Sequence, residues 1–268
     1  MIINNVINLY GGEQLNNDIK KLLEQFLVIS NKGWIPSVSK SFGSIGLTFE
    51  KELGKKADSM YFPDYYGIEI KCTSVLSKYP LYLFTVAFDG PTFPEINRII
   101  ECYGYSDKDY PEYKVLATKL NCKKMYTVNN NFKFLLELDK EEEKVFLCVY
   151  NLKNELIERK SFVYFDSIRN HLLLKLNYLA LVLAKTKHES NTKYFKYINI
   201  SIYKLSSFDN FMSLLESGVI DVSLIARISK SGNDIKRYRN KNLVFEINKN
   251  KIDKLFNRIY VSNKNNLS

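Results

Sequence analysis

Asp64, Glu69 and Lys71 stand close together in YFPDYYGIEIKC, residues 61–72 of the chain. Two carboxylates offer hard oxygen ligands to magnesium. An ammonium beside them can orient or activate a water and hold negative charge at phosphorus. Metal-dependent phosphodiester cleavage needs that combination. In an extended strand residues 69 and 71 point to one face and Ile68 and Ile70 to the other. A turn ahead of the strand can bring Asp64 up to Glu69 and Lys71. The same spacing also fits an amphipathic edge strand whose charges face water and discourage pairing with other chains. The isoleucines on both sides of Glu69 favour a strand anchored in the core over a loose edge. Glu50, on a helix expected from about Leu47, is either solvated helix surface or a fourth member of the group.

The elements that must position these residues follow from apolar spacing. Leu15, Ile19, Leu22, Leu23 and Phe26 recur at helical intervals over residues 14–30, and Gly33 ends that stretch. YGIEIKC reads as a strand. LYLFTVAF reads as a second strand, which a turn at LSKYP can return beside the first as a hairpin. Residues 91–124, with three prolines and several aromatics, read as irregular, either connecting structure or a surface lobe. KFLLELD and KVFLCVYNL read as strands around a charged turn. FDSIRNHLLLKL reads as a helix capped near Asp166 or Ser167, and YLALVLAKTK as a buried strand. LSSFDNFMSLLESG reads as a capped helix ended by Gly218. DVSLIARISK and LVFEINKNKI are the last strand candidates.

With 268 residues, 46% of them apolar, the chain can build a substantial core. Its +10 net charge favours polyanions or acidic membrane surfaces as partners. The longest apolar run, YLALVLA, is too short to cross a bilayer, and the first residues lack the basic start and apolar run of a secretory signal. Cys72, Cys102, Cys122 and Cys148 form no CxxC pair and only two histidines are present. Neither a structural zinc site nor a disulfide framework is expected, and the reading is of reduced cysteines in a cytoplasmic protein. No nucleophile elbow, P-loop lysine motif or dinucleotide fingerprint occurs.

The densest basic stretch holds Arg227, Lys230, Lys236, Arg237, Arg239 and Lys241, with Asp234 as its only acid in sequence. It is either a solvated face or a DNA-contacting loop between two strands. Asn233, Asn240 and Asn242 suit base-edge hydrogen bonds, and Arg237 and Arg239 suit guanine or phosphate. Lys40, in the early SKSFGS loop, can bind backbone phosphate. Tyr238 can stack or pack.

Taken together in order, Gly33–Trp34, GSIGLTFEKEL, FPDYYGIEIKCTS, LYLFT, YFDSIRNHLLLKLNYLALVLAKTK, KYFKY, GVIDVSLIARI and LVFEINKNKI resemble the MvaI/BcnI family of type II restriction endonucleases, relatives of the MutH nicking enzymes. The resemblance runs from about Gly33 to Ile252. It implies an α/β fold, a restriction-endonuclease-like core with a mixed central sheet flanked by helices and two lobes forming a DNA cleft. It implies a mainly catalytic lobe over residues 1–200, with an accessory contribution from 91–160, and a mainly DNA-recognition lobe over 201–268. The family's catalytic aspartate, glutamate and lysine fall on Asp64, Glu69 and Lys71, with Asp64 and Glu69 binding the metal. Its supporting helix glutamate falls on Glu50. The implied enzyme cuts both strands of a short double-stranded DNA sequence with Mg2+, acts as a monomer away from membranes, and is matched by a DNA methyltransferase that protects the host. A strand-specific MutH-like nicking enzyme and a catalytically inactive DNA-binding protein of the same fold are the alternatives. Two departures stand out. Val86, Ala87 and Phe88 lie where relatives carry a basic residue. The stretch KSGNDIKRYRNKN lacks the histidines of the relative that reads CC(A/T)GG, so that target is not carried over, and MutH-like readers of GATC are an equal guide.

Overall fold

Ile19, Leu22, Leu23, Phe26 and Ile29 recur at the helical repeat, and helix α1 (Asn17–Asn31) buries all five. The computed structural model describes residues 17–41, 43–54, 63–230 and 235–262; the side chains of Asn240 and Lys241 lie outside that description. Two compact units are formed, one from residues 1–79, 174–206 and 256–268, the other from 80–173 and 207–255. The chain therefore passes between the two units several times.

The first unit opens with α1, β1 (Ile35–Pro36), α2 (Ser44–Glu52) and β2 (Ile68–Ser74). The second follows with β3 (Leu81–Val86), α3 (Glu95–Tyr103), β4 (Tyr105–Ser106), β5 (Lys114–Leu120), β6 (Tyr126–Val128), β7 (Phe132–Asp139), β8 (Lys144–Asn151) and β9 (Leu156–Tyr164). Helix α4 (Phe165–Leu176) starts in the second unit and ends in the first, where β10 (Tyr178–Glu189) and β11 (Thr192–Leu205) follow. Helix α5 (Phe208–Glu216), β12 (Ile220–Ile228), β13 (Tyr238–Ile247) and α6 (Ile252–Leu255) belong to the second unit, and β14 (Phe256–Val261) to the first.

The first unit is built on a mixed sheet in the order β1-β11-β10-β2, with β14 also pairing with β11. Strand β2 runs parallel to β10, Tyr178 opposite Ile68 and Lys71 opposite Leu181, while the other pairs are antiparallel. The apolar side of α1 packs with Ile68 and Ile70 of β2, Ala180 and Val182 of β10, and Phe195, Ile200 and Ile202 of β11. Removing one of these side chains, as in Leu22→Ala, costs about 2–5 kcal/mol. Tyr197 fixes α2 in place: its ring lies 4.9 Å from that of Phe49 and its hydroxyl donates to the Ile45 carbonyl at 2.8 Å.

The second unit holds an antiparallel sheet in the order β3-β13-β12-β5-β4 and another in the order β6-β7-β8-β9. Phe84 of β3 stacks on Phe245 of β13 at 4.9 Å, with Phe211 of α5 at 5.6 Å from Phe84. Two expectations are corrected here. Strand β3 pairs with β13 and not with β2, so no hairpin joins LYLFTV to YGIEIKC. Residues 91–124 are not irregular: they contain α3, whose Ile96, Ile99, Ile100 and Tyr103 are buried, and strand β5. The expected helix end at Gly218 holds, with Ser207 accepting from the Asn210 N–H at the other end.

Candidate active site

The site begins with a tight turn. Tyr65 and Ile68 exchange backbone hydrogen bonds of 3.0 and 2.8 Å across Tyr66 and Gly67, whose φ angles are +43° and +84°. Positive φ at both central residues is the geometry of a tight two-residue hairpin turn, in which glycine is favoured. A Cβ on Gly67 would meet nothing within 4 Å, so conformation and not space demands the glycine. The turn folds Asp64 back onto β2, where its Oδ2 accepts from the Ile70 N–H at 3.0 Å.

Strand alternation then presents Glu69 and Lys71 to the same side, and Lys71 Nζ lies 2.5 Å from Glu69 Oε1. Strand β2 stands at the end of its sheet, yet Glu69 is only 1% exposed, so the edge position does not leave this carboxylate in water. Its second oxygen, Oε2, is buried and accepts no hydrogen bond from the described residues. Burial raises the Glu69 carboxyl above its ordinary range; the charge of Asp64 adds to this, and Lys71 and Lys175 oppose it without cancelling it. A buried, under-satisfied carboxylate beside a second carboxylate is costly by itself and suited to a cation. Among the described residues no three His, Cys, Asp or Glu side chains gather as a complete metal cage. Magnesium is ordinarily held by one or two carboxylates with water and substrate phosphate filling the remaining positions, so Asp64 and Glu69 fit the ion.

Glu50 lies on α2, half-buried. Its charge and that of Asp64 both reach the Cys72 thiol, which burial, first of all, pushes well above its ordinary range. Thr48 neither caps α2 nor holds Glu50: its hydroxyl donates to the Ser44 carbonyl at 2.7 Å and accepts from the Val38 N–H at 3.2 Å. Lys40 is exposed.

The sequence reading missed Lys175, whose Nζ lies 3.7 Å from Glu69 Oε1. It appeared only as one lysine in an amphipathic helix, and nothing local marked it. Its position follows from the parallel register that sets the end of α4 beside the start of β2.

The basic stretch lies in the second unit on β12, β13 and their connection. Arg227 and Arg239 face each other across the two strands, and both are exposed, as is Arg237. Lys230 pairs with Asp107 at 3.0 Å and Asp109 at 2.5 Å, and Lys236 with Glu112 at 3.1 Å. The segment before β5 thus brings three acids to a stretch whose only acid in sequence is Asp234. Tyr238 packs, its ring 6.0 Å from that of Tyr113 and its hydroxyl donating to the Lys114 carbonyl. Asn233 falls outside the described residues, as do the side chains of Asn240 and Lys241.

Comparison with known proteins places the fold. No curated protein sequence matches the chain. Among solved structures, restriction endonuclease MvaI in complex with its cognate DNA substrate aligns with a TM-score of 0.85 at 26% identity, over 92% of this chain and 100% of that one. MvaI in the absence of DNA aligns with a TM-score of 0.58 at 23% identity, over 93% and 99% of the respective chains, which supports the fold. Residues 23–256 match the model of the MvaI/BcnI restriction endonuclease family. The chain belongs to the MvaI/BcnI restriction endonuclease family.

Proposed function

We propose that the chain is a type II restriction endonuclease that hydrolyses both strands of double-stranded DNA at a specific short sequence, using Mg2+. The observation that carries this reading is the buried Glu69, one oxygen held by Lys71 and the other without a hydrogen bond among the described residues, next to Asp64. Asp64 and Glu69 would hold the ion. Mg2+ supplies Lewis-acid stabilisation of charge on the scissile phosphate and lowers the pKa of a bound water. The Ile70 N–H fixes one oxygen of Asp64 and leaves the carboxylate aimed by the backbone. Lys71 orients the attacking water and offsets charge at phosphorus. Glu50 takes a supporting place from α2.

In this reading the first unit is mainly catalytic, with Lys40 also holding backbone phosphate, and the second mainly reads DNA. Lys40, Arg227, Lys230, Lys236, Arg237, Arg239 and Lys241 contact phosphates or guanine, and Asn233 and Asn240 contact base edges. The protein works as a monomer in the cytoplasm, alongside a methyltransferase that protects the same sequence. Incubating it with unmethylated genomic DNA and Mg2+ and sequencing the fragment ends tests the reading. Ends sharing a short motif are expected, and Glu69→Ala should bind the same DNA without cutting it. Plasmid that stops at the open circle would replace the reading with nicking, and intact DNA across substrates and divalent ions would overturn it.

A further inference from the structure

Lys175 stands on the last turn of α4, three residues before Tyr178 opens β10. Because Tyr178 lies opposite Ile68 in the parallel pair, α4 ends beside the start of β2. Lys71 and Lys175 therefore both address Glu69 Oε1, at 2.5 and 3.7 Å, while Oε2 is buried without a hydrogen bond from the described residues. The crowding is one-sided. A single ammonium suffices for Oε1, and two ammoniums held near one oxygen repel each other. Both lysine side chains are largely withdrawn from water, at 24% and 31% exposed, so this repulsion is only partly screened.

The arrangement makes sense if one lysine is to leave. The reading of Lys71 as the group that meets water and phosphate requires its ammonium to turn away from Glu69. Without a replacement, a carboxylate buried to this degree would lose its only close partner as the reaction begins. We propose that Lys175 is a positioning residue that takes over Glu69 Oε1 when Lys71 turns to the scissile phosphate, keeping Oε2 aimed at the cation. The proposal rests on the endonuclease reading of the same site. It divides two tasks between two lysines: Lys175 holds the carboxylate and Lys71 serves the reaction. Preorganised charge of this kind needs no rearrangement of the metal-binding side chains during the chemical step.

The test compares Lys175→Met, Lys175→Arg and wild-type protein. Lys175→Met should lower kcat about 10- to 100-fold, the usual effect of removing a group that orients a metal ligand. Its KM for duplex DNA should stay within about twofold of wild type, since a group used only in the chemical step does not contribute to ground-state binding. Lys175→Arg should recover most of the rate, because a guanidinium can hold the same oxygen. Binding of Ca2+ to the free protein, measured by calorimetry, should be unchanged or tighter in Lys175→Met, since a competing cation has been removed. A Lys175→Met protein that cuts at the wild-type rate would overturn the proposal. So would a joint loss of rate, Ca2+ affinity and thermal stability that arginine does not restore, which marks a merely structural lysine. A wild-type protein that cuts no DNA would remove the endonuclease reading and this inference with it.

Discussion

Glu69 in the first unit and Glu95 in the second are the same residue at the same 1% exposure, and they behave oppositely. Glu95 Oε1 accepts from Arg98 Nε at 2.7 Å and Ser161 Oγ at 2.6 Å, and its Oε2 accepts from the Thr92 N–H at 3.1 Å and the Thr92 hydroxyl. Burial pulls the Glu95 carboxyl upward, but the hydrogen bonds from Arg98, Ser161 and Thr92 outweigh it and hold the group below its ordinary range. Glu69 has ammoniums on one oxygen only, and burial wins. Solvent exposure alone therefore does not separate the two carboxylates: burial outweighs the neighbouring ammoniums at Glu69, and hydrogen bonds outweigh it at Glu95. What differs is the second oxygen, which in Glu95 accepts from Thr92 and in Glu69 accepts no hydrogen bond from the described residues.

The largest effect expected from breaking this comparison is on cleavage. Glu69→Gln should lower the cutting rate by at least about 10²–10³-fold while a gel shift still shows DNA binding. Glu95→Gln should cut at near wild-type rate per folded molecule. Equal losses in the two variants would erase the distinction.

Stability should show the reverse order. Glu95→Ala removes the acceptor that Arg98, Ser161 and Thr92 share, leaves Arg98 paired with Glu158, and should cost about 1–3 kcal/mol in urea unfolding, the range for a lost charged hydrogen-bond partner. Glu69→Gln should unfold no more easily than wild type at neutral pH, since it removes a charge that burial disfavours. The pH dependence sharpens this. The Glu69 pKa in the fold lies above 4.5, so the folded state holds its proton more tightly and stability from this group falls as pH rises above 4.5. The Glu95 pKa lies below 4.5, so its contribution is complete above 4.5 and is lost as pH falls through its depressed value. Unfolding free energies measured across pH should therefore lose part of their acid decline in Glu95→Gln and part of their fall above pH 4.5 in Glu69→Gln.

The smallest effect concerns the turn that delivers Asp64. Gly67→Ala places a side chain at φ +84° and should destabilise the protein by about 1–2 kcal/mol. Cleavage should fall further than that loss explains if the Asp64 position depends on the turn, and single-turnover rates on the folded variant would measure it.

The local parts of this arrangement were legible in the sequence. Alternation in YGIEIKC put Glu69 and Lys71 on one face, and the pattern of Ile19 to Phe26 specified α1, because both signals are carried by neighbours along the chain. Pairing between distant segments was not. LYLFTV was recognisable as a strand, but its partner β13 was decided by which sheet completes its burial. Helix α3 was missed even though Ile96, Ile99, Ile100 and Tyr103 keep the helical interval, because the prolines around it drew the reading toward loop. Lys175 and the acids that meet Lys230 and Lys236 come together only through strand register and a long connection. No pattern within one segment encodes either.

The parallel pairing of β2 with β10 also governs when Glu69 and Lys71 come to lie in a sheet. Glu69 and Lys71 leave the ribosome early, but the strand that seats them starts only at Tyr178, and β14 of the same sheet comes later still. Domains generally fold as units during synthesis. A nascent chain halted before Tyr178 carries Glu69 and Lys71 with no β10 to pair with their strand, so under the endonuclease reading proposed above an unfinished copy lacks an aligned site.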